Sequence, residues 1–370
     1  MENKRLKIFS FFSGCGFLDL GFETSGYDIE LVNEFSKSFM DAYKYSRDKM
    51  GLRKPKYGYA NIDINLFLDE RSEELKGYIT AARADGCLVG FIGGPPCPDF
   101  SIAGKQRGRN GDNGKLSLSY VDLIIKQQPD FFLFENVKGL WQTAKHRAFY
   151  DELKARLSGS GYYLTDRLTN ALEYGVAQDR DRILLFGIAN RIIEQHHYSM
   201  PNFDWKKHTK YDLNTVKNLP WPNQEPFVEN SYKACPAGII EELTVEHWFR
   251  HNDVEHHPNS SDCFTPRSGL QKMLTVDEGD TSKKSYKRLH RWKYSPTVAY
   301  GNNEVHLHPY KARRLTVAEA LALQSLPKAF ELPPVMSLSD KFKTTGNGVP
   351  YLLAKGVAET IADFLKGGSF

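Results

Sequence analysis

The sequence predicts an α/β fold: a mostly parallel sheet covered on both faces by helices, followed by a second, smaller and irregular domain. Three observations predict it. From residue 6 to 190, short apolar runs alternate with helical patterns, as strands buried on both faces require. The first run passes through a glycine loop directly into a helix. From about 191 to 310, Pro, Asn, His and Lys become frequent and helical periodicity fades. At 370 residues the chain is long enough for two domains. Their expected bounds are 1–190, completed by 344–370, and 191–343.

In order, the expected strands are LKIFSFF (6–12), IELV (29–32), CLVGFIG (87–93), FFLFENV (131–137) and RILLFGI (182–188). Helical patterns fall between them, among them LSYVDLIIKQ (118–127) and RAFYDELKARL (147–157). In such sheets, function collects beyond the carboxyl ends of the strands. Thr316-Val-Ala-Glu319 is a capping box opening a helix that Pro327 closes. TTGNGVP (344–350) reads as a glycine loop before a final helix, 351–365, with Leu353, Val357, Ile361 and Phe364 on one face.

Composition excludes several classes. With 41% hydrophobic and 25% charged residues and a net charge of +4, this is an ordinary globular chain. Any surface for a polyanion must therefore come from local clustering. The five cysteines (15, 87, 97, 235 and 263) are odd in number and include no CxxC pair, which predicts reduced thiols and a cytoplasmic location. The apolar start is broken at Gly14-Cys15-Gly16 and lacks a small-residue cleavage pattern, so no signal peptide is expected. No apolar stretch approaches the ~20 residues of a membrane span. His247, His251, His256 and His257, with Cys235 and Cys263, match no zinc-finger spacing, and no metal is expected.

Two motifs carry chemistry. In FSGCGFLDLGFE, Gly14 and Gly16 allow a tight turn and close approach to a ligand at a helix amino end. A dinucleotide fingerprint would place a third glycine at position 19, where this chain has Asp19. That carboxylate disfavours a diphosphate but tolerates an uncharged or cationic nucleoside. Glu34, 20 residues after Gly14, ends the second strand where an acid can accept ribose hydroxyls, and Phe35 can stack on a base.

The second motif joins two strand ends. GGPPCPDFS holds Cys97 among prolines that fix the backbone, and FFLFENV ends in Glu135-Asn136. On neighbouring strands, a thiol nucleophile and an acid would meet at one sheet edge.

The blocks FFSGCGF, GGPPCPDFS, LFENVKG, QDRDRILLFGI, RRLTVAEALALQSLP and GNGVP, in that order, resemble the DNA (cytosine-5)-methyltransferases. The resemblance runs from residue 8 to about 365, leaving out the irregular middle. It implies a Rossmann-like, S-adenosylmethionine-dependent methyltransferase domain and a target-recognition domain in the 191–343 region. It further implies that Cys97 attacks carbon 6 of a flipped-out cytosine. Glu135 would bind the exocyclic amine and N3, Arg182 would contact O2, and Arg180 would help hold the site. For the cofactor it implies Phe12, Ser13, Gly14, Cys15, Gly16, Phe17, Glu34, Phe35, Asp63, Ile64, Pro96, Asn347 and Val349. For double-stranded DNA it implies Lys105, Arg107 and Arg109 on a glycine-rich lid (104–115), together with Gln178. KKSYKRLHRWKY (283–294), with six basic residues and no acid, is a further phosphate-contacting candidate.

A monomer is expected, partnered by a restriction endonuclease acting on the same site. Two alternatives follow from the same resemblance. One is a transfer-RNA methyltransferase, because Cys263-Phe264-Thr265 resembles a motif of that branch; the other is a catalytically silent DNA-binding homologue. The chain also departs from the family pattern at three positions. Pro98 stands where Gln is usual, Gly348 where Ser is usual, and Ser10 where an acid is common.

Overall fold

The computed structural model describes residues 6–84, 86–96, 112–266, 269–283, 285–298, 300 and 305–367. Its strands are β1 (Leu6–Phe11), β2 (Asp28–Asn33), β3 (Tyr59–Ala60), β4 (Leu88–Gly93), β5 (Phe131–Val137), β6 (Tyr162–Asn170), β7 (Gln178–Asp179), β8 (Asp181–Ala189) and β9 (Ser295–Pro296). Seven form one sheet in the order β3-β2-β1-β4-β5-β8-β6. The pairings from β3 through β5 are parallel. β8 runs antiparallel to both β5 and β6.

This last pairing differs from the sequence reading, which set RILLFGI among parallel strands. An apolar run buried on both faces has the same composition whichever way it points. β6 was not anticipated: it lies on the sheet's edge, and its middle residues are only half-buried. Two glycines let the sheet close. A side chain at Gly90 would overlap the Phe131 ring, and one at Gly187 would overlap Phe132.

The helices are α1 (Phe17–Thr24), α2 (Lys37–Lys49), α3 (Ser72–Ala84), α4 (Asp112–Gln127), α5 (Gly139–Gln142), α6 (Ala144–Gly159), α7 (Asn190–His196), α8 (Leu213–Lys217), α9 (Val245–His251), α10 (Leu270–Thr275), α11 (Val317–Leu323), α12 (Leu338–Asn347) and α13 (Tyr351–Leu365). The last closes on the first. Gly21 of α1 lies so close to Ala354 of α13 that a Cβ would approach its backbone to 2.6 Å, and Tyr27 donates to the Ala358 carbonyl at 2.8 Å. Leu353, Val357 and Ile361 are buried as the periodicity predicts, and Phe364 packs at the margin. α11 opens with the predicted Thr316–Glu319 capping box. TTGNGVP is not all loop: α12, capped by Ser337, continues through Asn347.

The main core surrounds the sheet. A second core joins Cys15, Phe17, Leu20 and Ala42 to the 315–342 segment, fastening that segment against the first glycine loop. Between 197 and 314, regular structure is sparse and buried cations take over. Arg288 is fully buried and donates to the carbonyls of Met273, Val276, His308 and Lys311. Arg291 forms a buried pair with Glu278, at 2.8 and 2.9 Å, and also donates to Ser231. The 283–294 stretch is therefore not simply a phosphate-facing run, because two of its cations are interior cross-links. Among the described residues, no helix is long and apolar enough to cross a membrane.

Candidate active site and cofactor cleft

At the carboxyl end of β1 the chain turns sharply, with Phe12, Gly14 and Gly16 at φ 53, 55 and 80°. Gly14 donates its N–H to Glu34 Oε2 at 2.9 Å, and Ser36 donates to Oε1 at 2.7 Å. Burial pushes the Glu34 carboxyl up, while the N–H groups of Ser36, Gly14 and Phe35 oppose that shift. Beside it, the Phe35 ring is 74% exposed. The open side of the loop is equally plain: a Cβ on Gly14 would meet nothing nearer than Thr344 Oγ1 at 3.9 Å.

Asn61 fixes this rim by donating to the carbonyls of Glu34 and Phe35 at 2.8 and 2.9 Å. Asp63 caps the short turn that follows, accepting from Asn65 N–H at 2.8 Å, and Ile64 is buried behind it. Phe12 meets Tyr120 edge-on. Asn347 is exposed at the end of α12, Val349 is buried, and Ser13 is held by the Asn33 carbonyl at 3.1 Å.

Two residues of this group do not face the cleft. Cys15 is buried, accepts from Thr344 Oγ1 at 2.9 Å, and burial pushes its thiol up to about 12. Its side chain is protonated and inert, so only its backbone can meet a ligand. Phe17 is buried edge-on against Phe330 at 5.2 Å. Its ring fills the space over Gly348, where any Cβ would overlap it. That accounts for the glycine at 348 in place of serine.

Asp19 also reverses its expected part. It is completely buried, accepting from Ser10 Oγ at 2.8 Å and Tyr43 OH at 3.0 Å. The carboxylate lies beneath the loop, turned to Ser10 and Tyr43, rather than beside the ligand where the sequence placed it.

The second centre is built by strand direction. Because β8 runs antiparallel to β5, Arg182 at its start pairs with Val137 at the end of β5. Arg182 Nε then lies 2.7 Å from Glu135 Oε1, with both side chains about nine-tenths buried (10% exposed each). Burial pushes the Glu135 carboxyl up, against the pull of Arg182 and Arg180. The proline loop begins on this pair. A Cβ at Gly94 would stand 2.5 Å from Glu135 Oε2, and Asn136 Nδ2 reaches the Pro95 carbonyl at 3.5 Å. Pro96 is exposed beyond it. Cys97, Pro98, Lys105, Arg107 and Arg109 lie outside the described residues.

Arg180 is buried behind the pair, donating to Val298 O at 3.0 Å and to Gly346 O and Gly348 O at 2.9 Å each. It ties the strand carrying Arg182 to the loop after Asn347. Gln178, expected to meet DNA, is instead an interior brace. It is fully buried, donating to Leu323 O at 3.1 Å and accepting from Val298 N–H at 3.2 Å. Gln324 completes the brace through the carbonyl of Thr345. Sequence reasoning named Asn136 beside Glu135 without a part to play, and missed Tyr43, Arg47 and Gln324 as supports of the two centres. Arg47 stands in YKYSRDK, which has the composition of a solvated helix and carries no signal of burial.

A family model for C-5 cytosine-specific DNA methylases matches residues 6–363. Among curated proteins, the Type II methyltransferase M.NmeDI of Neisseria meningitidis serogroup C is 57% identical, over 99% of this chain and 85% of its own length. M.FnuDI of Fusobacterium nucleatum, another Type II methyltransferase, is 30% identical over 97% of this chain and 96% of its own. Solved structures agree in fold. A prophage-encoded DNA modification methyltransferase from E. coli superposes with a TM-score of 0.67 at 20% identity, covering 98% of this chain and all (100%) of its own. Spodoptera frugiperda DNMT2 superposes at 0.58 with 16% identity, covering 97% and 99%.

Proposed function

We propose how this chain, which belongs to the C-5 cytosine-specific DNA methylase family, methylates its substrate: through a covalent adduct between Cys97 and a cytosine turned out of the duplex. The enzyme is a DNA (cytosine-5)-methyltransferase and its methyl donor is S-adenosylmethionine. The cleft suits that cofactor. Glu34 presents a carboxylate for ribose hydroxyls, and the exposed Phe35 ring stands ready for a base. Gly14 leaves the loop face open. When bound, the cofactor supplies an electrophilic methyl group on a positively charged sulfur. Phe12, Asp63, Ile64 and Asn347 complete the pocket in this reading.

The protein's own part is to make carbon 5 of cytosine nucleophilic. Cys97 thiolate adds to carbon 6, and the electron pair displaced from the 5,6 double bond moves toward N3. Glu135, whose burial favours its protonated form, donates to N3 as that charge develops and accepts from the exocyclic amine. Arg182 holds Glu135 in place and meets O2, while Arg180 holds the strand. Once carbon 5 has been methylated, N3 returns its proton to Glu135, and a base takes the carbon-5 proton so that the 5,6 double bond re-forms and the thiolate leaves. Lys105, Arg107 and Arg109 neutralise DNA phosphates. The 191–343 region reads the target, and 1–190 with 344–370 performs catalysis.

The observation that carries this reading is the buried Glu135–Arg182 pair, against which the proline loop of Cys97 begins. Its Type II relatives support a modification role beside a restriction endonuclease of the same specificity. That role implies a monomer acting on DNA in the cytoplasm. The test is methylation of plasmid DNA by the purified protein, read by bisulfite sequencing, with Cys97→Ser beside it. The wild type should convert one cytosine in a fixed sequence, and the variant none. Label entering transfer RNA alone, or full activity in Cys97→Ser, overturns the proposal.

A further inference from the structure

Ser10 stands at the end of β1, where the resembling family commonly has an acid, and the structure contains an acid at that spot from elsewhere. Asp19 comes up from α1 and places Oδ1 2.8 Å from Ser10 Oγ. Its other oxygen accepts from Tyr43 OH at 3.0 Å, so both are satisfied in a fully buried position. The Tyr43 ring carries Arg47, whose guanidinium lies 4.3 Å from the ring centroid and is 1% exposed.

Arg47 Nη2 donates to the Gly16 carbonyl at 2.6 Å and lies 2.8 Å from Glu23 Oε2. Its Nε and Nη1 find no acceptor among the described residues. The underside of the glycine loop is thus sealed: a Cβ at Gly16 would stand 2.7 Å from Arg47 Nη2. A cation buried this deeply is costly unless opposite charges face it. Here Glu23 meets the cation directly and Asp19 faces it through Tyr43; burial pushes both carboxyls up and Arg47 pulls both back toward the charged form. Among the described residues, the only backbone group the cation grips is a loop carbonyl.

We propose that Asp19 is a positioning residue: with Ser10 it forms a transposed acid–hydroxyl pair whose charge keeps Arg47 clamped on Gly16, setting the loop for S-adenosylmethionine. The inference rests on the cofactor reading of this cleft. The pair's logic is that the acid's location matters and its strand of origin does not. An aspartate on β1 with a serine on α1 would put the same charge in the same place. Asp19 touches no ligand and acts only through Arg47 and the loop.

The experiment measures equilibrium binding of S-adenosylmethionine without DNA, alongside KM and kcat. Wild-type binding tests the cofactor reading by itself, independently of Cys97. Asp19→Ser should weaken binding and raise KM for the cofactor ~10-fold while kcat changes much less. The double variant Ser10→Asp/Asp19→Ser should recover most of that loss, and Tyr43→Phe, which removes one hydroxyl, should raise KM ~3-fold. A folded Asp19→Ser with unchanged affinity, or a folded double variant no better than the single, overturns the proposal. If Asp19→Ser does not fold, Tyr43→Phe decides it, because unchanged cofactor affinity in that variant is incompatible with the clamp.

Discussion

The sheet and the 197–314 region solve the same problem with different chemistry. In the sheet, backbone N–H and C=O groups satisfy one another along the strands, leaving side chains free to fill an apolar core. In the irregular region the strand ladder shrinks to β9, so carbonyls need other donors. Arg288 supplies four of them, and Arg291 is neutralised by Glu278 while it grips Ser231. A segment without periodicity is therefore not a segment without a core. Its interior is cross-linked by buried ion pairs and charge-assisted hydrogen bonds between small apolar clusters, where the sheet's is one apolar core, so the two should fail in different ways.

The largest effect is expected at Arg291. Replacing it with Met removes both guanidinium bonds to buried Glu278, leaving, among the described residues, only Lys233 at 3.2 Å and the residue-291 N–H at 3.0 Å to hold that charge, at a cost of ~3 kcal/mol. Hydrogen exchange should accelerate between 225 and 311, while β1, β4 and β5 stay protected. Adding Glu278→Leu removes the under-compensated charge, while Lys233 keeps Glu225 as its partner, and should restore most of the protection. A double variant as unprotected as the single would break the contrast, since it would mean shape rather than charge holds the region.

In the sheet, the matching perturbation is steric. Gly187→Ala drives a methyl group into the Phe132 ring, at a cost of ~1–3 kcal/mol. Here exchange should quicken in β5, β6 and β8 while the 225–311 region is spared. Equal loss in both regions would show that they unfold as one unit.

The smallest effect concerns pH, and it has opposite signs in the two regions. Burial lifts the Glu23 carboxyl from its ordinary 4.5 to about 7. The native state then keeps a proton that the unfolded chain has released. Its contribution is full below about 4.5 and is lost as pH rises through about 7. For Glu278, burial pushes upward, but the hydrogen bonds from Arg291 win and the carboxyl lies below its ordinary value. Its contribution is present above the ordinary carboxylate range and lost on acidification. Glu23→Gln should therefore flatten the fall in melting temperature between pH 5 and 8 without changing the acid limb. Unchanged slopes in that variant would place the titration elsewhere.

Much of the site was legible because it is local. Gly14 and Gly16 bend the chain at a strand end, Glu34 closes the next strand, and Glu135 ends an apolar run; each is readable from a few neighbouring residues. The face of α13 followed from its period in the same way. Arg47 and Gln178 were illegible for the opposite reason. A polar residue in a polar-looking stretch shows nothing of its burial until distant segments close over it.

The sequence alone determined which segments are buried strands, where the backbone must turn, and which chemical groups stand at the strand ends, because these depend on periodicity and local conformational preference. Only the tertiary structure decided that β8 runs backwards, bringing Arg182 onto Glu135. It also turned Asp19 away from the cleft toward Ser10 and Tyr43. Strand direction and the pairing of buried polar groups are settled between residues far apart in the chain, where no local pattern carries the information.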